Sequence, residues 1–200
     1  MLNSIPFWAR VAFLMLAMAG IAAVDWRRNG RRTKKWKEYG FVLLAGVLGA
    51  AFGFANDLIT SSLSPDYFVF GKGIAEGPWF TLRASTVGIE AGFSAGAIAG
   101  AVCLFAGVGG RRLPPLGYPK LLGMLWRPVA LAMIAAVVSA FCFRQYDPMN
   151  LAKQLQRFLD SDQMQRFLLV WWIHAGLYFG LLAGVVWIVV DVLRLRRRVT

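Results

Sequence analysis

The sequence predicts an all-α, polytopic membrane helix bundle: a single domain of about five transmembrane helices plus one interfacial amphipathic helix. Three observations predict it. The 200-residue chain is 58% hydrophobic. Only 16% of its residues are charged, against the ~25% usual in soluble domains. Its apolar residues fall into runs of about twenty, the length that crosses the hydrocarbon core. A soluble fold of this size has no interior large enough for so much apolar surface, whereas lipid solvates it directly.

The first span is read as 7–24, with Arg10 near its end and free to snorkel. Its centre, Val11 to Val24, has the look of a signal-peptide core, but the following Asp25-Trp26-Arg27-Arg28 suits no exported mature N-terminus. The second span is 39–60, the third 85–107 and the fourth 128–143, bracketed by Arg127 and Arg144. The fifth is 167–190. Residues 61–84 form a turn-rich loop. Asp147-Pro148 opens a helix expected over 148–160, since Pro suits a first helical turn. There Leu151, Leu155, Phe158 and Leu159 alternate with Lys153, Gln154, Gln156 and Arg157 at helical spacing. The pattern suits a helix lying on the outer membrane surface, with a partner-binding helix as the alternative.

The net charge is +12, and its distribution is informative. Fifteen of the 22 Lys and Arg residues fall on one predicted side, in the loop after span one, the loop after span three and the tail. The positive-inside rule then places the C-terminus in the cytoplasm and the N-terminus outside. Trp8, Trp26, Trp79, Trp126 and Trp187 stand near span ends, as interfacial aromatics do. No groove-reading or base-stacking motif accompanies the basic residues, so nucleic acid is not an expected partner. The expected partners are the bilayer itself and, for the tail residues Arg194, Arg196, Arg197 and Arg198, anionic lipid head groups, at ~1 kcal/mol per basic residue. Cys103 and Cys142 lie in separate apolar spans and read as small packing residues, not a disulfide framework.

Small residues mark the helix contacts, because helices in lipid associate by close packing. Gly88, Gly92, Gly96 and Gly100 recur every four residues in span three, Gly176, Gly180 and Gly184 in span five, and Gly49 and Gly53 in span two. Spans two, three and five are therefore expected to form the tight centre of the bundle. The same glycine faces suit a homo-oligomer.

Ionisable groups inside a membrane are costly and mark function by default. Asp57, Glu90 and His174, the one histidine of the chain, all fall in the outer third of the glycine-bearing spans. Asn56 and Thr60 flank Asp57, while Ser94 and Tyr178 follow Glu90 and His174 at i+4 spacing, on shared helix faces. A polar cluster of Asp57, Glu90, His174, Ser94, Tyr178, Asn56 and Thr60 is expected, open outward. Two carboxylates and an imidazole pass protons or hold a cation. A divalent metal is the weaker reading, for want of HExxH or paired Cys, and no cofactor is expected. A structural reading competes: Glu90 and His174 bond to one another and fix helix register. No nucleophile elbow or Walker pattern is present, so no catalytic residue is assigned.

Asn56-Asp57-Leu58-Ile59-Thr60, followed by Ser64-Pro65-Asp66-Tyr67-Phe68, resembles a signature of a group of uncharacterised bacterial multi-span membrane proteins. In that group His or Asn precedes Asp, any residue, Ile or Val, and Thr, and a Ser-Pro-Glu-Tyr-Phe segment follows. Asp66 stands here where Glu is commoner, and His174 with Tyr178 resembles a later His-x-x-x-Tyr. The resemblance implies a bacterial inner-membrane protein and no particular activity. It also implies that Asp57, Thr60 and the Pro65–Phe68 turn form one unit, folded over the mouth of the polar cluster. The expected function is binding or conduction of a small solute, cation or proton at that cluster. The alternatives are a membrane-embedded enzyme on lipid or an envelope precursor, which needs a lateral opening at His174, and a scaffold subunit of an envelope complex.

Overall fold

Each long apolar run is helical in the computed structural model, which describes residues 6–30, 33–110, 113–147 and 149–198. In chain order the helices are α1 (Phe7–Asn29), α2 (Lys35–Leu63), α3 (Phe80–Val108), α4 (Tyr118–Leu122), α5 (Trp126–Phe143), α6 (Leu151–Leu155) and α7 (Ser161–Arg198). A π-helical turn, Tyr67–Gly71, lies between α2 and α3. No strand occurs among the described residues. Five segments are long and apolar enough to cross a membrane: α1, α2, α3, α4 with α5, and α7. The chain is a multi-pass helical membrane protein. Arg31, Arg32, Arg111 and Arg112, which carry part of the charge asymmetry, and Pro148 lie outside the described residues.

The helices outrun the apolar runs that predict them. α7 has 38 residues, about 57 Å at 1.5 Å per residue, where the hydrocarbon is about 30 Å thick. A reciprocal capping box sets its start: Gln163 N–H donates to Asp160 Oδ1 at 2.8 Å, and Asp160 N–H donates to Gln163 Oε1 at 2.9 Å. Its last turn carries Arg196, Arg197 and Arg198, cations that offset the negative end of the helix dipole.

The helix expected over 148–160 is shorter than its pattern suggests. Only Leu151–Leu155 is helical, held by the Asp147 carboxylate, which accepts from Leu151 N–H at 2.7 Å and Ala152 N–H at 2.8 Å. Leu151 and Leu155 pack inward with the buried Leu159, against a cluster containing Phe68 and Phe167. The cap at Asp160 starts a new helix, so the chain has to turn first.

Glycines bring the helices into two antiparallel hairpins. Gly49 faces Gly92 and Gly53 faces Gly88, so closely that a methyl on any of the four would run into the partner's carbonyl oxygen. Such approach lets Cα–H groups meet carbonyls across the interface. In the second hairpin Gly176 sits on Ala135 and Ala136, Gly180 on Leu131 and Ala132, and Gly184 on Pro128. The expected centre of spans two, three and five is thus corrected, because the fifth span gives its glycines to the fourth. A glycine stripe accepts any helix with a small-residue face, and α5 supplies one. The glycine faces expected to suit a homo-oligomer are filled within the chain.

The hairpins α2–α3 and α5–α7 meet chiefly along α3 and α7. α1 stands aside with no buried residue, resting against α2 and reaching α3 through Phe7, whose ring lies edge-on to Phe93 at 6.3 Å. Apolar clusters plug both ends of the bundle, one around Tyr67, Phe68, Phe167 and Val170, the other around Phe41, Leu121, Ile188 and Val192. Arg127 of α5 pairs with Asp191 of α7 near the second plug, its guanidinium 5.2 Å from the Trp187 ring centre.

Arg196 turns into that same end. It is 2% exposed, and its guanidinium donates to the carbonyls of Ala106 at 2.5 Å, Leu113 at 2.7 Å and Pro114 at 2.9 Å. The expected role of Arg196 on lipid head groups is corrected: its donors serve the end of α3 and the following loop, whose carbonyls have no further helical turn to bond. Arg194, Arg197 and Arg198 stay exposed. Arg196→Ala is expected to cost about 2–4 kcal/mol, since bonds from a charged donor contribute ~1.5–3 kcal/mol each and act as a group. Arg194→Ala is expected to cost under about 0.5 kcal/mol. Unfolding in mixed micelles with increasing SDS measures both, and equal midpoints would remove the clamp.

Candidate functional site

The end opposite Arg196 holds a buried acid–imidazole pair. Asp57 of α2 is 4% exposed and His174 of α7 is 6% exposed. Asp57 lies one turn past Gly53, beside Gly88 of α3, where a Cβ would stand 2.8 Å from the Asp57 Cγ. A glycine at 88 is what leaves room for the carboxylate. The pair joins the two hairpins, with His174 Nε2 3.0 Å from Asp57 Oδ1.

The hydrogen-bond pattern favours one proton count. His174 Nδ1 lies 2.9 Å from the Val170 carbonyl oxygen, which only accepts, so Nδ1 carries a hydrogen. The Nε2–Oδ1 contact then needs one further proton between its atoms. The pair is either imidazolium with carboxylate or imidazole with carboxylic acid, and both arrangements are neutral overall. Asn56 Nδ2 donates to Asp57 Oδ1 at 2.9 Å and lies 3.4 Å from His174 Nε2. The Asn56 amide thus lies against both members of the pair. Among the described residues Asp57 Oδ2 accepts no hydrogen bond.

The turn after α2 roofs the pair. Thr60 and Ser61, each 2% exposed, donate back to the Asn56 carbonyl at 2.9 Å and the Leu58 carbonyl at 3.2 Å. Thr60 therefore supports the backbone that carries Asn56 and Asp57 and offers its hydroxyl to nothing else. Ser64 Oγ accepts from Tyr67 N–H at 3.3 Å and starts the turn. The Tyr67 ring stacks on the imidazole at 4.7 Å and 26°, and Phe68 meets it edge-on at 5.9 Å. Asp57, Thr60 and the Tyr67–Phe68 turn thus form one unit. Burial, with Tyr178 and Asp57 behind it, pushes the Tyr67 phenol pKa up, so the ring stays neutral.

Glu90 and Ser94 do not join the cluster. Glu90 makes no hydrogen bond or ion pair with Asp57 or His174, and Ser94 donates back to the Glu90 carbonyl at 2.8 Å. The reason is angular. Gly88 and Gly92 face α2, and Glu90 lies two residues, about 200°, from each, so it projects from the far side of α3. Shared depth was legible in the sequence, but shared azimuth depended on which face of α3 meets α2. Among the described residues no three His, Cys, Asp or Glu groups assemble as a metal site.

A cavity of about 770 Å³ runs from the pair along the cleft between α2 and α5, floored by α3 and α7. Asn56, Asp57, His174, Tyr178 and Lys72 form its polar head. Its walls below are apolar, with Leu48, Phe52, Ala91, Leu125 and Met133 reaching down to Trp126. Leu48 and Met133 are about half exposed, so the rims of the cleft face lipid. Lys72 has no place in the sequence-based cluster. Its signal was adjacency to the Tyr67–Phe68 segment, and its Nζ lies 5.6 Å from the Tyr67 ring centre.

Fold and site together define a multi-pass helical membrane protein with a proton-holding pair at the head of an apolar cleft. Comparison with protein-family models, curated proteins and solved structures gives no match for the chain.

Proposed function

We propose that this protein binds an amphiphilic membrane molecule, with its polar group at Asn56, Asp57 and His174 and its apolar part in the cleft. The carrying observation is the continuity of one cavity from a buried proton-holding pair to walls of Leu, Phe and Met. Its volume falls within the ~300–1,000 Å³ of small-molecule sites. Binding at the outer-facing cluster is the expectation retained from the sequence. Conduction of hydrated ions is disfavoured, because the walls beyond Asp57 offer no polar groups to replace water. Catalysis is disfavoured as well, since both ring nitrogens of His174 are engaged and neither is offered to a substrate. The charge asymmetry supports an N-terminus outside and a cytoplasmic C-terminus, which puts the pair toward the outer leaflet; a bacterial inner-membrane location rests on the resemblance carried by the Asn56–Thr60 and Ser64–Phe68 segments. Arg194, Arg197 and Arg198 then lie at anionic head groups on the cytoplasmic side.

Ala91→Trp tests the reading. Ala91 lines the cleft and is exposed, so the indole fills ligand space without entering a helix interface. Purified protein is expected to retain bound lipid that mass spectrometry detects, and the variant to retain at least about tenfold less at an unchanged melting curve, a loss near 1.4 kcal/mol. Equal retention by the two proteins would falsify cleft binding.

A further inference from the structure

We infer that the cleft selects an anionic lipid whose head group also bears a hydroxyl, the anion resting on Lys72 and the hydroxyl donating to Asp57 Oδ2. This rests on the amphiphile reading above and names its ligand class. The first argument is charge. The charged or titratable groups facing the head of the cavity are Asp57 from α2, Lys72 from the turn region, and His174 and Tyr178 from α7. α3 contributes none there, because Glu90 projects away, and α5 contributes none. The Asp57–His174 pair with its shared proton is neutral, and the phenol is neutral. Lys72 therefore leaves the head of the cleft with one net positive charge. It has no ion pair or hydrogen bond among the described residues, and stands over the Tyr67 ring that covers His174.

The second argument is an acceptor without a donor. A carboxylate has four lone-pair sites. Asp57 uses Oδ1 for His174 and Asn56, while Oδ2 accepts nothing, in a side chain 6% exposed that lines the cavity. Oδ2 opens into the cavity and receives no donor from the described residues, so a ligand that donates there gains a charge-assisted bond that one without a donor forgoes. A choline head lacks a donor and net charge. A bare phosphate monoester has the charge without a hydroxyl set apart from it. A glycerol-phosphate head carries both, on a diacyl body that suits apolar walls open to lipid at their rims.

The full chain, extracted from bilayers of equal parts phosphatidylcholine, phosphatidic acid and phosphatidylglycerol, provides the test, with retained lipids counted by mass spectrometry. Phosphatidylglycerol is expected about tenfold enriched over phosphatidylcholine and several-fold over phosphatidic acid. Lys72→Gln, at an exposed position, should abolish the advantage of both anionic lipids over phosphatidylcholine. Asp57→Asn should reduce the advantage of phosphatidylglycerol over phosphatidic acid, and if that variant misfolds the Lys72 result alone decides. Soluble sn-glycerol 3-phosphate at the same concentration should displace nothing, and displacement would assign the site to the free head group and overturn the lipid source. Retention that Ala91→Trp reduces but that shows no head-group preference, or a preference that survives Lys72→Gln, overturns this inference and leaves the amphiphile reading standing. Retention unaffected by Ala91→Trp overturns both.

Discussion

Gly53→Leu is expected to destabilise the bundle by about 3 kcal/mol or more, the upper range for overpacking a tight interface. A Cβ at position 53 runs into the Gly88 carbonyl oxygen, which belongs to backbone and cannot swing away as a side chain can. Separating α2 from α3 to admit the side chain also withdraws Gly49 from Gly92 one turn along and moves Gly88 off Asp57. The loss therefore spreads over several contacts and into the site. Gly40→Leu, in the same helix but with open space around its Cβ, is the control. It removes a helix-interior glycine at a position facing no neighbour and should be neutral or stabilising by ~0.5–1 kcal/mol. SDS-titrated unfolding of both variants gives the comparison, and similar midpoints would contradict the antiparallel register in which 53 meets 88.

The second large effect belongs to the buried pair. Asp57→Ala and His174→Ala are each expected to cost about 3–5 kcal/mol, because each strands a buried polar partner. In Asp57→Ala the imidazole loses its Nε2 partner and Asn56 loses the acceptor of its amide. In His174→Ala the carboxylate keeps only Asn56 and sits against apolar surface. The double variant removes both members and should cost less than the sum of the singles by about 1–3 kcal/mol, the range for residues in one network. Strict additivity would show that the two groups do not act on each other. The same cycle run with Glu90→Gln and His174→Ala should be additive within about 0.5 kcal/mol, since Glu90 projects from the other side of α3.

Much of the site was legible one helix at a time. Asp57 and His174 stood out because an ionisable group in an apolar run is costly, and Asn56, Thr60 and Tyr178 followed from adjacency and i+4 spacing. Glu90 satisfied the same criteria and still lies elsewhere. Depth follows from counting residues along one helix, whereas azimuth follows from which neighbour a helix chooses. Lys72 escaped notice for the reverse reason. In a loop a lysine is unremarkable, and only the packing of Tyr67 on His174 brings it to the cavity. Arg196 read as one of four tail cations, and its neighbours in sequence remain exposed. Its fate depended on unpaired carbonyls at the end of α3, which no local pattern advertises.

The sequence alone determined that the chain is a bundle of membrane-crossing helices, because runs of about twenty apolar residues have no other stable solvent than lipid. It also determined where close contacts can form, because only glycine and alanine let helix backbones meet. Tertiary structure decided which of those faces pair, placing α3 on α2 and α5 on α7 instead of gathering three glycine spans at one centre. Small-residue faces are nearly interchangeable, so the choice among them rests on the summed fit of whole helices, and that choice brings Asp57 to His174 and leaves an apolar cleft beneath them.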